Sequence, residues 1–194
     1  MSGTSVLIAG VGGQGVISMG QIIGLAADAT GLDVRMGQLH GMSQRGGSVE
    51  STILIGPNRS PFLPTHGADI VIALEPMELL RSVDRLHPDS KVIVSTSKIT
   101  PLPLALSGAK YPDLEAVVSE LRSKVGALVA VDMQTIANQN QTPRSVNMIA
   151  LGILASNGWL PFSSEHLANA IAQSTNVRYR ASNTLAFNAG KEIN

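Results

Sequence analysis

Ser5-Val-Leu-Ile-Ala9, then Gly10-Val-Gly-Gly-Gln-Gly15, then the run from Val16 to Gly31 is the stretch that decides the fold. The first five residues are an apolar run closed by glycine, the pattern of a buried strand. Beyond the glycines, Val16, Met19, Ile23, Ala26 and Ala27 recur at helical spacing. A strand, a glycine loop and a helix in that order begin a parallel α/β unit. The helix start turns its free N–H groups and positive dipole end toward the loop, where an anion is favoured. Gly10, Gly12 and Gly15 fit G-x-G-x-x-G, which alone is weakly specific. Three readings stay open: a dinucleotide site, a tight turn with glycines for packing, and a site for a phosphate or a partner's backbone. The NAD version wants an acid at the end of the second strand, about 20 residues on. That neighbourhood holds Arg35, Met36 and Gln38, and Asp33 lies at the wrong end. Arg35 keeps an NADP reading available.

Working outward, Leu32–Met36 reads as the second strand and Ser48–Ile55 as the third, with Val49, Ser51, Ile53 and Ile55 alternating against Glu50, Thr52 and Leu54. Gly56 to Pro64 is a turn and an irregular excursion. Asp69–Leu74, Lys91–Thr96 and Ala127–Val131 are further strands. Glu75-Pro76 opens a helix whose expected buried stripe is Met77, Leu80, Val83 and Leu86, stopped by His87-Pro-Asp-Ser90. Residues 97–112 are loop-like, and Asp113 caps a helix through Lys124. Further helices are expected over Met133–Gln139, Met148–Ser156, Ser163–Ser174 and Val177–Gly190. The helix from Met148 is apolar on nearly all sides, so it is buried. The alternation predicts one domain over residues 1–194. It is three-layer α/β/α, with a mostly parallel (mixed) sheet of Rossmann-like character.

Between the second and third strands stands His40-Gly-Met-Ser-Gln-Arg-Gly-Gly-Ser48. It is too polar for a core, and its glycines allow close approach of backbone to a ligand. In a parallel sheet, the strand carboxyl ends bind ligands. That edge gathers the Gly10 loop, the His40 loop and Glu75.

The 194 residues carry 14 Lys+Arg, 14 Asp+Glu and no cysteine, with 44% hydrophobic and 3% aromatic residues. Zero net charge argues against nucleic acid and against a polybasic membrane surface. No apolar run nears the roughly 20 residues of a membrane span. The first residues lack the basic region of a signal peptide, so a cytoplasmic location is expected. Without cysteine there is no disulfide, no thiol nucleophile and no iron–sulfur ligand. His40, His66, His87 and His166 fall in no metal-ligand spacing, so no metal site is expected.

Taken together, Gly10-Val-Gly-Gly-Gln-Gly15, His40-Gly-Met-Ser-Gln-Arg-Gly-Gly47 and Glu75-Pro76 resemble the gamma subunit or domain of 2-oxoacid:ferredoxin oxidoreductases. The His-Gly-Met lead-in is most like the small (beta) subunit of the indolepyruvate branch. The likeness runs from Val6 to the C-terminal segment and includes Asn147. Such enzymes oxidatively decarboxylate a 2-oxo acid, join the acyl group to coenzyme A and pass electrons to ferredoxin. The resemblance implies that thiamine diphosphate, Mg²⁺ and iron–sulfur clusters lie in a large partner subunit, and that this chain alone is inactive. The chain has no Gly-Asp-Gly motif for the Mg²⁺ that carries thiamine diphosphate. The resemblance also places Gly12, Gly13, Gln14, Gly15, His40, Met42, Gln44, Arg45, Gly46 and Gly47 beside the shared active site and the coenzyme A path. A stand-alone NAD(P)-binding oxidoreductase and a non-catalytic interaction module are the rival readings.

Taken singly, His40 is a proton donor or substrate contact, or else a histidine bonded to its own loop. Arg45 is the strongest anion contact, since its fork suits phosphate or carboxylate, or else it braces the loop. Glu75 caps its helix or touches ligand. Met42 packs on a partner or in the core. His66, His87 and His166 read as surface or capping residues, and Tyr111 and Trp159 as ordinary packing. Arg178, Tyr179 and Arg180 contact another subunit or form a solvated face.

Overall fold

The computed structural model describes residues 3–40, 47–57, 60, 62–99 and 111–193. Its strands are β1 (Thr4–Val11), β2 (Val34–His40), β3 (Ser48–Ile55), β4 (Ile70–Ala73), β5 (Lys91–Ser95) and β6 (Ala127–Val131). Its helices are α1 (Val16–Asp28), α2 (Pro76–Arg81), α3 (Leu114–Arg122), α4 (Met133–Gln139), α5 (Val146–Ser156), α6 (Ser164–Ser174) and α7 (Val177–Lys191). The strands form one sheet in the order β2-β3-β1-β4-β5-β6. β1, β4, β5 and β6 are mutually parallel. β3 runs antiparallel to both β1 and β2, so β2 points the same way as β1.

Strict alternation assigns each central strand to two cores. Val6, Ile8, Ile53, Ile55, Ile70, Ile72 and Ile93 face one layer, packed against α1, α4, α5, α6 and α7. Leu7, Leu54, Val71, Ala73, Val92 and Val94 face the other, against Leu79 of α2 and Leu121 of α3. Strands buried on both sides read as continuous apolar runs, and these do. α5 is buried from Val146 through Leu154, as its all-round apolar pattern requires.

Two sequence expectations need correction. The second strand is not Leu32–Met36 but Val34–His40, which delivers His40 itself to the sheet edge, paired with Val49. Pairing along β3 extends the strand through polar Gln38, which propensity alone does not favour. The helix after Glu75 is also shorter than expected. It spans six residues, and a 3₁₀ turn, Val83–Arg85, follows. Its buried positions are Pro76, Glu78 and Leu79, whereas Val83 of the expected stripe is 38% exposed. The cause is local hydrogen bonding: the Ser82 hydroxyl donates to the Glu78 carbonyl at 2.9 Å, and the Glu78 carboxylate turns inward to meet Ser48.

Candidate functional site

The glycine loop after β1 is held by a glutamine. The Gln14 Oε1 accepts from the Val11 N–H at 2.7 Å, and its Nε2 donates to the Leu74 carbonyl at 2.9 Å. One side chain thus ties the loop to its own strand and to the end of β4. Gly15 then starts α1 with φ 80°, in the left-handed region that favours glycine. A Cβ there would lie 2.4 Å from Asn147 Nδ2, so a side chain at this point would also have to displace the Asn147 amide. Gly13 is exposed, with φ 103°.

The two glycine clusters meet. The Gly12 N–H donates to the Gly47 carbonyl at 2.9 Å. Gly12, Gly13, Gln14, Gly15 and Gly47 therefore lie together at the carboxyl edge of β1, beside the strand end that carries His40. Met42, Gln44, Arg45 and Gly46 lie outside the described residues, as does the side chain of His40.

Acids complete the edge. Glu75 is fully buried and caps α2, its Oε2 accepting from the Met77 N–H at 2.6 Å. Its Oε1 accepts from the Ile99 N–H at 3.1 Å and from the Tyr111 hydroxyl. Of the two sequence readings for Glu75, the structure shows the cap. Tyr111 is more than packing. It is hydrogen-bonded to Glu75, and burial together with that carboxylate pushes its phenol above its ordinary range.

Glu78 and Ser48 were not singled out from sequence. The Ser48 hydroxyl donates to Glu78 Oε2 at 2.5 Å, and Arg81 approaches Glu78 Oε1 at 3.3 Å. The available signal was a hydroxyl directly after the Gly46-Gly47 pair, since Glu78 falls outside the expected stripe of its helix. Burial raises the Glu78 pKa above its ordinary 4.5, with Glu75 and Glu50 raising it further, against the lowering by Ser48 and Arg81. A carboxyl raised on folding binds its proton more tightly in the native state. Its cost to stability is therefore absent below the unfolded value and grows as pH rises through the raised one. Glu78→Gln is expected to melt above wild type at pH 7, with the two curves converging at pH 4.5 and below. Calorimetric melting across that range checks it, and curves that stay parallel would refute it.

On the α1 side lies a cleft of about 350 Å³, lined by Gly13, Gly15, Ser18, Arg144, Asn147 and Asn176 among others. α1, α5 and α7 all begin at this cleft. Arg144 is the single charged side chain among the described lining residues. α6 ends there, at Ser174 and Thr175, but three helix starts and a cation with no acid outweigh that one helix end and favour an anionic group. Sequence reading missed the cleft because its walls come from segments more than 100 residues apart.

The described residues contain no group of three His, Cys, Asp or Glu placed to hold a metal ion. Nor is any helix among them long and apolar enough to cross a membrane. The sheet order also departs from the dinucleotide pattern. An antiparallel β3 stands between β1 and β2, displacing the end of β2 by one strand spacing, about 4.8 Å, from where a ribose contact is needed.

The pyruvate ferredoxin/flavodoxin oxidoreductase family profile matches residues 5–193. Indolepyruvate oxidoreductase subunit IorB of Archaeoglobus fulgidus is 37% identical over 186 residues, covering 96% of this chain and 92% of that one. The IorB subunit of Methanothermobacter thermautotrophicus is 36% identical, covering 96% and 95%. Among solved structures, a pyruvate oxidoreductase subunit from Thermotoga maritima shares the fold with a TM-score of 0.72 at 23% identity, covering 100% of this chain and 97% of that one. A keto/oxoacid ferredoxin oxidoreductase gamma subunit from Geobacter sulfurreducens gives 0.69 at 22%, covering 97% and 96%. With a full-length family match and relatives above 30% identity over nearly all of both chains, this chain belongs to the pyruvate ferredoxin/flavodoxin oxidoreductase family.

Proposed function

We propose that this chain is the accessory small subunit of an indolepyruvate-type 2-oxoacid:ferredoxin oxidoreductase. The observation that carries this reading is the end-to-end match to two indolepyruvate oxidoreductase subunits. The fold agrees with it, since the two motifs of the resemblance meet at one sheet edge through the Gly12–Gly47 hydrogen bond. In this reading the chain works in the cytoplasm, bound to a large subunit that carries thiamine diphosphate, Mg²⁺ and the iron–sulfur clusters. Without cysteine, this chain has no thiolate to hold a cluster.

The chain's own contribution is to bind and orient. Gly12, Gly13 and Gly15 bring backbone close to the approach path, and Gln14 keeps that backbone fixed. His40, Met42, Gln44, Arg45, Gly46 and Gly47 border the shared active site, with Arg45 answering the negative charge of coenzyme A or the 2-oxo acid. Coenzyme A suits the polar cleft at the start of α1, whose charge is positive.

Complex formation tests the assignment. Mixed with the large subunit of the same source, the chain is expected to co-elute with it on size exclusion, iron and thiamine diphosphate travelling with the large subunit. Separate elution at micromolar concentration would contradict the reading. Tight NADPH binding by the chain alone would instead support the dinucleotide enzyme.

A further inference from the structure

Ser48 begins β3 directly after the Gln44-Arg45-Gly46-Gly47 motif. Two neighbouring residues at this exit are held by two different elements. The Gly47 carbonyl accepts from Gly12 of the β1–α1 loop at 2.9 Å, and the Ser48 hydroxyl donates to Glu78 of α2 at 2.5 Å. Glu78 is an odd residue for its place. Its side chain is 3% exposed on a helix whose next residue, Leu79, joins the apolar layer of Val92 and Val94, and its cationic neighbour Arg81 is itself half exposed. Glu75 of the same helix and Glu50 of β3 add like charge nearby. A leucine would suit that layer better on burial alone. What a carboxylate does there that leucine cannot is grip the Ser48 hydroxyl with a short, directional, charge-assisted bond.

We propose that Glu78, acting through Ser48, is a positioning residue for Gly47 and for the Gly12–Gly15 loop bonded to it. It fixes the start of β3 and so holds the Gly47 carbonyl against the Gly12 N–H. This rests on the subunit reading above, in which both loops border the approach of substrate and coenzyme A. Glycine has the widest backbone freedom of any residue, so sequence alone does not set the direction of the Gly47 carbonyl. The pin at Ser48 and the bond from Gly12 supply that direction from outside.

Four variants test it: Ser48→Ala, Glu78→Ala, the double variant, and Glu78→Gln, which still accepts from Ser48. The first readout is hydrogen exchange of the Gly12 amide in the isolated chain, followed by NMR. Gly126 serves as control, since its amide is bonded to the Ser90 carbonyl away from the two glycine loops. Gly12 is expected to exchange about tenfold faster in Ser48→Ala and in Glu78→Ala, and no faster in the double variant, because one bond is lost in all three. Glu78→Gln should stay within about threefold of wild type, and Gly126 should not change. The second readout is kinetics of the complex with the large subunit. KM for coenzyme A or the 2-oxo acid should rise about tenfold in both alanine variants with kcat within about threefold, and Glu78→Gln should recover most of the loss.

An unmoved Gly12 amide overturns the proposal, and so do effects that multiply in the double variant. Faster exchange with wild-type kinetics also overturns it, since Glu78 would then serve only the fold. Should Glu78→Ala fail to fold, the partly exposed Ser48→Ala still decides. No turnover with the wild-type chain would instead sink the subunit reading, while the Gly12 amide still reports whether the brace exists.

Discussion

Gly152→Val is expected to lower the melting temperature by about 6–12 °C, the equivalent of about 3 kcal/mol in a chain of this size. α5 and α7 cross with glycine against backbone on both sides. A Cβ on Gly152 would sit 2.1 Å from the Phe187 carbonyl oxygen, and one on Gly190 would sit 2.1 Å from the Ile149 carbonyl oxygen. Carbonyls of a packed helix cannot swing aside as a flexible side chain can, so the two helices must separate. Separation opens the larger core, because α5 is buried along Val146–Leu154 and α7 contributes Ala186 and Phe187 to it. A helical glycine otherwise costs about 1 kcal/mol relative to alanine, which opposes the clash but does not offset it. Gly152→Ala should therefore destabilise too, by less than valine. A valine variant melting within about 2 °C of wild type would show that the helices do not approach this closely.

Arg45→Ala is expected to reduce kcat/KM of the assembled enzyme by about 10- to 100-fold, the cost of one charge-assisted contact. His40 lies at the carboxyl end of β2, and the Gly47 carbonyl is bonded to Gly12 at the carboxyl end of β1. Arg45 belongs to the segment that joins those two ends, and α/β sheets bind ligands at that edge. Coenzyme A and a 2-oxo acid are both anionic. Arg45→Lys keeps the charge and loses the fork, so it should fall between wild type and alanine. Steady-state kinetics with each substrate varied separately, with melting temperature as the fold control, checks this. An alanine variant that melts much lower while its folded fraction keeps wild-type kinetics would make Arg45 a brace.

Element type was legible wherever burial set the pattern. The strands of the central sheet are apolar on both faces, and α5 is apolar all round, so both stood out as core. What sequence hid was set by specific hydrogen bonds, most of them between distant segments. β2 runs on to His40 because β3 pairs with it residue by residue. α2 stops at Arg81 because Ser82 turns back onto the Glu78 carbonyl. The same holds at the candidate site. The glycine loops announced themselves by composition, but the bonds by which Gln14 ties Val11 to Leu74 span sixty residues and leave no sequence pattern. Glu78 gave no periodic signal as a site residue, since an acid on a short helix reads as exposed until Ser48, thirty residues earlier, is seen to meet it.

The most direct test of the subunit reading is turnover on reconstitution. Isolated chain, with indolepyruvate or pyruvate, coenzyme A and a viologen acceptor, is expected to give none. Large subunit alone should be impaired, and adding the chain should restore activity, saturating as the complex fills. Turnover by the isolated chain, or a large subunit fully active without it, would contradict the account.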